Sequence, residues 1–252
     1  MSGVLEGCAA IVTGGATGIG LAITRRLLAD GARVLVSVLD KTHLESAGLD
    51  GAPYFVGDLA KPGVADEMLA AAVDSFGVAH VLVNNAGGGI IRPTLEHTEE
   101  TLRATIDNNL WTTLRATVAL LPHMAGHGGG RIINIGAESV RNGLTDHAVY
   151  NAAKGGVHAM AVGLAREFAA ARITVNTVAP SYVETPELAA AIAAGGLPER
   201  FHVMLADAVG LIPMGRPASV EDVAGMVAYL AGPDAAFVTG QTLSVNGGSS
   251  MG

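Results

Sequence analysis

The sequence is poor in the residue types that several protein classes require. Its 252 residues include a single cysteine, Cys8, so an intrachain disulfide is excluded. Lys and Arg number 15 against 23 Asp and Glu, a net charge of −8 without any basic run, which argues against a nucleic-acid partner. No apolar run reaches the roughly 18 residues of a membrane span. The N-terminal stretch carries Glu6 and no basic segment, unlike a secretory signal. We therefore expect a cytoplasmic protein with neither nucleic-acid nor membrane partners.

The abundant residues indicate a sheet that is closely covered by helices. Half of the residues are hydrophobic, 34 are glycine and only 4% are aromatic. Short apolar runs alternate with helical patterns along the chain, which is typical of a doubly wound α/β fold with a parallel sheet. Several runs are apolar throughout, as in strands that are covered on both faces. We predict seven parallel strands with helices on both faces of the sheet.

The apolar runs also predict where these elements begin and end. The predicted strands are Cys8–Thr13, Arg33–Val38, Pro53–Val56, His80–Val83, Arg131–Ile135, Thr174–Val178 and Thr242–Val245. The predicted helices are Gly18–Asp30, Gly63–Phe76, Thr98–Ala125, Ala148–Ala170 and Val220–Ala231. No linker divides them, so residues 1–252 are predicted to form one domain. The mostly helical, Ala- and Gly-rich stretch Thr185–Pro213 interrupts the alternation, and long insertions of that kind often cover a binding site.

Tyr150 and Lys154 carry the most chemical information in the chain. Four residues make about one helical turn, so both side chains project from one face of the predicted helix. A phenol with a pKa of about 10 is a poor base at neutral pH, but an adjacent cation favours the tyrosinate. At about 4 Å and a dielectric of about 20, that attraction is worth roughly 4 kcal/mol, or up to about three pKa units. The pair could exchange a proton with an alcohol oxygen; the other interpretation is a half-buried tyrosine beside a solvated lysine.

A glycine-rich turn follows the first predicted strand. The segment TGGATGIG places glycines at Gly14, Gly18 and Gly20, which allow a tight turn and a close approach of the backbone to a ligand. The helix that begins near Gly18 directs its free N–H groups and positive dipole end at the turn, which favours a pyrophosphate. An ordinary strand-to-helix turn is the alternative. The location between the first strand and the first helix favours a dinucleotide site.

A second loop, NNAG, follows the fourth predicted strand. In open α/β sheets, ligands bind at the carboxyl ends of the strands, where this loop lies. Asn85 could connect neighbouring strands, while Ala86 and Gly87 leave room for a cofactor ring. A simple turn would also suit the sequence.

The end of the second strand bears on the choice between NAD and NADP. There an acidic residue binds the ribose 2′-hydroxyl of NAD, whereas a basic residue binds the 2′-phosphate of NADP. Val38 and Leu39 occupy the selecting positions, and Asp40 comes slightly late. Because the glycine turn contains no Lys or Arg, the sequence favours NAD, with NADP as the alternative.

Together these motifs resemble the short-chain dehydrogenase/reductase family in its single-domain form. The resemblance covers essentially the whole chain. It rests on TGGATGIG, Asp58–Leu59, NNAG, Asn109–Leu110, YNAAK, the PSYVET segment from Pro180 and TGQTLSVNGG from Thr239, in the family's order. It implies a Rossmann-like fold, a nicotinamide cofactor and a homo-oligomer, either a tetramer or a dimer.

The resemblance also implies catalytic roles. Tyr150 corresponds to the acid/base, Lys154 to its electrostatic partner and a ligand of the nicotinamide ribose, and Asn109 to the residue that holds a water in a proton relay. The implied oxidoreductase transfers hydride between a nicotinamide and the carbon of a secondary alcohol or ketone.

The cofactor-binding residues are implied in the same way. Asp58 corresponds to an adenine contact, and Val183 and Thr185 to the segment that contacts the carboxamide, where Ser181 replaces the family's usual glycine. The full set is Gly14, Thr17, Gly18, Ile19, Val38, Asp58, Leu59, Asn85, Ala86, Gly87, Tyr150, Lys154, Pro180, Val183 and Thr185.

The chain departs from the family's pattern at the catalytic serine. The family places this serine thirteen residues before the tyrosine, a position that Ala137 occupies here, and Ser139 lies two residues later. The backbone could bring Ser139 into the catalytic position, or Glu138, Asn142 or a water could hold the substrate oxygen. Loss of one oxyanion donor costs about 2.7–4 kcal/mol, roughly 10²- to 10³-fold in rate. The departure also raises an alternative function, a cofactor-binding regulator or scaffold with little turnover.

Three histidines are candidate functional residues. His123 and His127 have the spacing of a metal pair, but neither a nearby acid nor an HExxH pattern accompanies them, so we expect no metal site. His147 lies about one turn before Tyr150 and could face the substrate, although a residue that merely begins the helix would look the same.

Overall fold

The chain folds around a parallel sheet of seven strands. The structure, a computed structural model, describes residues 3–49 and 51–251. The strands are β1 Ala9–Thr13, β2 Arg33–Val38, β3 Tyr54–Val56, β4 Val81–Asn84, β5 Gly130–Ile135, β6 Ile173–Pro180 and β7 Thr242–Val245. Their order in the sheet is β3-β2-β1-β4-β5-β6-β7, and each strand runs parallel to its neighbours. The predicted seven-stranded doubly wound fold is therefore confirmed.

Helices connect the strands and cover both faces of the sheet. They are α1 Gly18–Ala29, α2 Thr42–Ala47, α3 Val64–Phe76, α4 Glu99–Ile106, α5 Thr112–Gly126, α6 Ser139–Asn142, α7 Ala148–Phe168, α8 Pro186–Ala193, α9 Glu199–Gly210 and α10 Val220–Ala231. The short helices α2 and α6 were not predicted, because neither is long enough to show an apolar period. Within the described residues, no helix is both long and apolar enough to cross a membrane.

Each inner strand contributes side chains to two hydrophobic cores. Val12 and Val36 belong to the core beneath α1 and α10, whereas Ile11 and Leu35 belong to the core beneath α3 and α5. This division follows from the alternation of side chains along a strand. Cys8 packs at the border of the first core, where burial raises the pKa of its thiol. It packs as a small hydrophobe, as predicted.

The order of the strands reverses direction between β1 and β4. The chain leaves β1 towards β2 on one side and leaves β4 towards β5 on the other side, although β1 and β4 are neighbours. The loops that follow these two strands therefore diverge and leave a crevice at the carboxyl edge of the sheet. The glycine turn after β1 and the NNAG loop after β4 form the two sides of this crevice.

The long helix predicted over Thr98–Ala125 has a different local structure near its middle. It begins after Thr98, whose hydroxyl accepts a hydrogen bond from the N–H of Thr101. A π-helical segment, Asp107–Trp111, then separates α4 from α5. The Asn109 amide nitrogen donates to the carbonyl of Thr105 over 2.9 Å. Inserted π turns are frequent at functional sites, and this one carries a predicted catalytic residue.

The insertion predicted over Thr185–Pro213 contains the two helices α8 and α9. Thr185 caps α8, because its hydroxyl accepts a hydrogen bond from the N–H of Leu188, and Pro186 occupies the first helical position. From there the segment passes in front of the carboxyl edge of the sheet. Its role as a cover for a substrate stays a prediction.

We expect Gly20→Ala to lower stability, because a Cβ at this position would overlap the carbonyl oxygen of Gly14 and lie 2.5 Å from Asn85 Nδ2. Overpacking of this kind costs about 1–3 kcal/mol. Gly163→Ala is the matched control: Gly163 lies in α7 with no other atom near its Cβ position, so alanine should stabilise by about 0.5–1 kcal/mol. Urea unfolding of both variants gives the measurement. Equal effects at the two positions would contradict the close contact at Gly20.

Candidate active site

Two adjoining cavities occupy the crevice, with volumes of about 690 and 270 Å³. The larger cavity reaches Tyr150 and Lys154, and the smaller one reaches Val38 and Asp58. Every residue predicted to bind the cofactor lines at least one of the two cavities, and so does Ser139. The structure therefore brings together residues that are spread over most of the chain.

Hydrogen bonds hold the glycine turn against the NNAG loop. The Thr13 hydroxyl accepts from the N–H groups of Asn85, at 3.0 Å, and Ala86, at 2.9 Å. In return, Asn85 Nδ2 donates to the carbonyl oxygens of Thr13, at 3.0 Å, and Gly14, at 3.1 Å. Gly14 has a φ of +62°, a conformation that favours glycine. The connection between strands predicted for Asn85 is present in this geometry.

The N-terminus of α1 already binds an anion from elsewhere in the chain. The N–H of Gly18 donates to Glu187 Oε1 over 3.2 Å. This carboxylate oxygen occupies the kind of position in which a phosphate oxygen would accept the same hydrogen bond. Thr17 precedes the helix without a capping hydrogen bond from its own side chain. The turn therefore fits the pyrophosphate of a dinucleotide.

The far end of the smaller cavity lies at the end of β2. Val38 is buried there, and Leu39 is largely exposed. Asp40 does not reach into the cavity lining, because its Oδ1 accepts a hydrogen bond from the N–H of Thr42 over 2.9 Å. Hydrogen bonds from Thr42 hold the pKa of this carboxyl below its usual range. His43, which no sequence motif indicated, lines both cavities.

Tyr150 and Lys154 project from the same face of α7, as predicted. The Lys154 ammonium is buried, donates to the carbonyl oxygen of Ile135 over 2.8 Å and lies 5.9 Å from the centre of the Tyr150 ring. Burial lowers the pKa of Lys154 to about 8 and raises the pKa of Tyr150 to about 12.

The direction of the Tyr150 shift is opposite to the one expected from the sequence. Spacing alone predicts that Lys154 lowers the pKa of the phenol, but the loss of water around the buried Tyr150 raises it. The lysine ammonium donates its hydrogen bond to the carbonyl of Ile135. Tyr150 is therefore protonated in the free protein at neutral pH.

Asn109 lies behind the cavity wall and not on it. Its side chain is fully buried, and Nδ2 donates to the carbonyl of Gly88 over 2.9 Å. Among the described residues, Asn109 Oδ1 has no hydrogen-bond partner, and a Cβ on Gly87 would lie 2.8 Å from it. The amide thus supports the loop that forms the wall and retains one free acceptor.

The position of the family's serine presents a methyl group. Ala137 is buried, and its N–H donates to His158 Nε2 over 3.3 Å. Ser139 lies at the cavity wall, but its hydroxyl donates to Asn151 Oδ1 over 2.6 Å, and Asn151 Nδ2 returns a hydrogen bond to the Ser139 carbonyl. Its proton is therefore already engaged.

A group of polar side chains lines the larger cavity near Tyr150. Glu138 is completely buried and hydrogen-bonds through Oε1 to the hydroxyl of Ser250. Within the described part of the chain, four atoms of this lining have no hydrogen-bond partner: Glu138 Oε2, Asn142 Oδ1, Ser181 Oγ and Ser249 Oγ. Unpaired buried polar groups are costly, so a ligand that pairs with them would be stabilised.

The histidines take different positions. His147 lines the cavity, its ring lies 6.1 Å from that of Tyr150, and its Nδ1 bonds the Thr145 carbonyl over 2.6 Å. His123 and His127 stack on each other outside the crevice, and His123 Nε2 accepts from the N–H of Ala79.

Sequence reasoning missed Glu187, His43 and the serines of the C-terminal segment. Glu187 lies two residues after Thr185, a predicted cofactor residue, and its charge at the start of a helix was the available signal. For Ser249 and Ser250 the sequence offered no signal, because their contact with Glu138 depends on how the end of the chain folds back.

Comparison with known proteins gives consistent matches over nearly the whole chain. The family model described as enoyl-(acyl carrier protein) reductase matches residues 14–250. The 2,3-dihydroxy-2,3-dihydro-p-cumate dehydrogenase of Pseudomonas putida is 54% identical, with 98% of this chain and 96% of that protein aligned. The 3-oxoacyl-(acyl-carrier-protein) reductase FabG of Vibrio cholerae is 36% identical, over 98% of this chain and 99% of that protein. The reductase MabA of Mycobacterium tuberculosis is also 36% identical, over 96% and 92%.

We expect Lys154→Met to stabilise the free protein at pH 7 by about 1–3 kcal/mol. The folded-state pKa of about 8 lies below the ordinary 10.5, so the unfolded chain binds the extra proton between these values. The cost of burying the ammonium is therefore complete below about pH 8 and fades as the pH rises towards 10.5. Denaturant unfolding between pH 7 and 10 should show the advantage of the variant shrinking. The exposed Lys61→Met is the control, and a constant difference for Lys154→Met would contradict the shift.

Proposed function

The chain belongs to the short-chain dehydrogenase/reductase family, and from this premise we propose that it is an NAD(P)-dependent dehydrogenase of a secondary alcohol, with a vicinal dihydrodiol as the favoured substrate. The observation that carries the proposal is the pairing of Tyr150 and Lys154 at the cavity that the glycine turn opens. A proton-transfer group and a phosphate-binding turn at one crevice suit the oxidation of an alcohol by a dinucleotide.

In the oxidative direction, Tyr150 first gives up its own proton, and the tyrosinate then takes the proton of the substrate hydroxyl as hydride leaves the carbon. Lys154 stabilises the tyrosinate before this transfer, and Asn109 supports a relay that carries the released proton towards solvent. The nicotinamide, when bound, supplies the hydride acceptor, and the protein supplies orientation and electrostatic stabilisation. Its pyrophosphate would be held at Gly14 to Ile19, its adenosine at Val38, Asp58 and Leu59, and its nicotinamide at Pro180, Val183 and Thr185.

NAD is the favoured cofactor. The buried Val38 and the exposed Leu39 offer no positive charge to a 2′-phosphate. Lys41, the nearest lysine in sequence, lies over the ring of Tyr54 at 5.4 Å. Because a bound 2′-phosphate needs a cation, these residues favour the uncharged 2′-hydroxyl of NAD.

The polar lining near Tyr150 favours a substrate with a second hydroxyl. Glu138, Asn142, Ser181 and Ser249 all line this cavity and each has an unpaired oxygen. A second substrate hydroxyl could satisfy one of these oxygens after a small rearrangement. The Pseudomonas putida relative is named for a dihydrodiol, in which two hydroxyls are neighbours. A long acyl chain, as on the substrates named for the more distant reductases, would leave these groups unpaired.

Ala137 supports a second candidate, a cofactor-binding protein with little turnover. Its methyl group replaces a hydroxyl donor, and the Ser139 proton is engaged with Asn151. The presence of Tyr150, Lys154 and Asn109 favours the enzyme, because a protein without turnover has little physical reason to retain all three.

The remaining expectations concern the protein as a whole. A single domain, a cytoplasmic location and a homotetramer or homodimer stay predictions. Exposed apolar side chains on adjacent elements, namely Trp111, Val118 and Val162, suit contact with a second copy. Met204, Leu205 and Ala208 of α9 line the larger cavity, which supports the proposal that residues 185–213 cover the substrate.

We expect the wild type to reduce NAD with a cis-dihydrodiol more efficiently than with a cyclic monoalcohol. Tyr150→Phe should lose at least about 10²-fold in kcat/KM, since it lacks the oxygen that accepts the substrate proton. Tyr54→Phe, at an exposed tyrosine of β3, is the matched control and should retain activity. NADH absorbance gives the rate, and NADH binding to both variants gives an independent check on the site. An active Tyr150→Phe would contradict the mechanism. Cofactor binding without turnover across diols, alcohols and ketones would favour the second candidate.

We expect Ser139→Ala to lower kcat/KM by less than about tenfold, because the hydroxyl serves Asn151 in the structure. A direct oxyanion donor would cost about 10²- to 10³-fold in rate. Ala137→Ser is the companion variant. It should raise the rate, because its hydroxyl would give the substrate oxygen a second hydrogen-bond donor. A loss of 10²-fold or more in Ser139→Ala, with unchanged stability, would instead assign Ser139 the catalytic role that the sequence predicted.

A further inference from the structure

Glu187 belongs to the segment Thr185–Pro213, and its carboxylate contacts the glycine turn. It lies in the first turn of α8, and its Oε1 accepts the N–H of Gly18 over 3.2 Å, although the two residues are 169 positions apart. Thr185 also packs against Gly18: a Cβ on Gly18 would lie 3.3 Å from the Thr185 methyl and 3.8 Å from Glu187 Oε2. The start of α8 therefore rests directly on the start of α1.

The Glu187 carboxyl is charged in this position. Burial alone would raise its pKa, but hydrogen bonds from its own N–H, from Gly18 and from Thr185 hold the pKa below the usual range. A carboxylate at a helix N-terminus is also stabilised by the helix dipole. An anion of the protein thus already uses the turn that the proposed cofactor needs.

The carboxylate and a pyrophosphate cannot use this turn in the same way. Gly18 has one N–H, and an oxygen of Glu187 occupies the direction in which it donates. Two anions in contact with one helix terminus also repel each other, and a single helix dipole would have to stabilise both. A cofactor must therefore displace Glu187 or bind beside its charge.

We propose that Glu187 determines the affinity for the cofactor, because it acts as an internal substitute for a phosphate that the bound pyrophosphate must displace. This inference rests on the proposed function, since it needs a dinucleotide at the glycine turn. It gives the segment that follows Thr185 a second role: besides covering the substrate, it competes for the cofactor site. Loss of the charge should tighten binding of every ligand that places a phosphate at Gly18.

The decisive variant is Glu187→Gln, which keeps the shape of the side chain and its carbonyl acceptor but removes the charge. We expect its dissociation constants for NAD and ADP-ribose to fall by about 2- to 5-fold, the range of a charge at a helix terminus. Glu184→Gln is the matched control, because Glu184 is exposed, lies three residues before Glu187 and does not line either cavity. Adenosine, which lacks phosphate, is the ligand control and should bind the wild type and Glu187→Gln equally.

Competition against NADH fluorescence measures all three ligands, at low and at high salt. The gain in Glu187→Gln should shrink as salt screens the charge. Equal or weaker NAD binding by Glu187→Gln would overturn the inference and leave the proposed function intact. An equal gain in Glu184→Gln, or for adenosine, would also overturn it, because the effect would not act through the phosphate site. Failure of the wild type and both variants to bind NAD or NADP would overturn the proposed function and the inference together.

Discussion

The crevice depends on the hydroxyl group of Thr13, which makes every hydrogen bond that a hydroxyl can make. It donates to the carbonyl of Val83 and accepts from the N–H groups of Asn85 and Ala86, so its one proton and both lone pairs are engaged. Asn85 reciprocates with both protons of its amide nitrogen. These bonds join the ends of β1 and β4 at the point where the chain diverges, and they fix the distance between the glycine turn and the opposite loop. A strand-end hydroxyl thus sets the width of the site.

The other side of the crevice depends on a column of side chains along α7. Tyr150, Lys154 and His158 are spaced by four residues, and Lys154 and His158 both contact the end of β5 or the residues that follow it. Lys154 binds the carbonyl of Ile135, while His158 accepts from the N–H of Ala137. Burial, with the nearby positive charges of Arg141 and Lys154, lowers the pKa of His158 to about 4. The imidazole is therefore neutral and anchors the backbone without adding charge beside the lysine.

The sequence predicted the local elements well, but it predicted contacts between distant residues and the effects of burial less well. The bounds of β2, β7 and α10 agree with the predictions, since each is a run whose period or apolar length is unambiguous. The residues of the glycine turn and the NNAG loop meet because both follow neighbouring parallel strands, which topology alone dictates. In contrast, the contact of Glu187 with Gly18 depends on how an insertion folds back. The direction of the Tyr150 shift depends on how much water the fold removes, and neither can be read from spacing.

Because Ala137 has no hydroxyl, the proposed reaction depends more strongly on the charge of Lys154. Burial disfavours the ionised form of both members of the pair, so in the free protein Tyr150 keeps its proton, while Lys154, with a pKa of about 8, is mostly charged at pH 7. The cation is therefore in place before a tyrosinate forms, in a position fixed by Ile135. Such preorganised charge costs no rearrangement during the reaction. In the proposed mechanism, with a methyl group where a second donor would stand, stabilisation of the negative charge on oxygen depends chiefly on this ammonium.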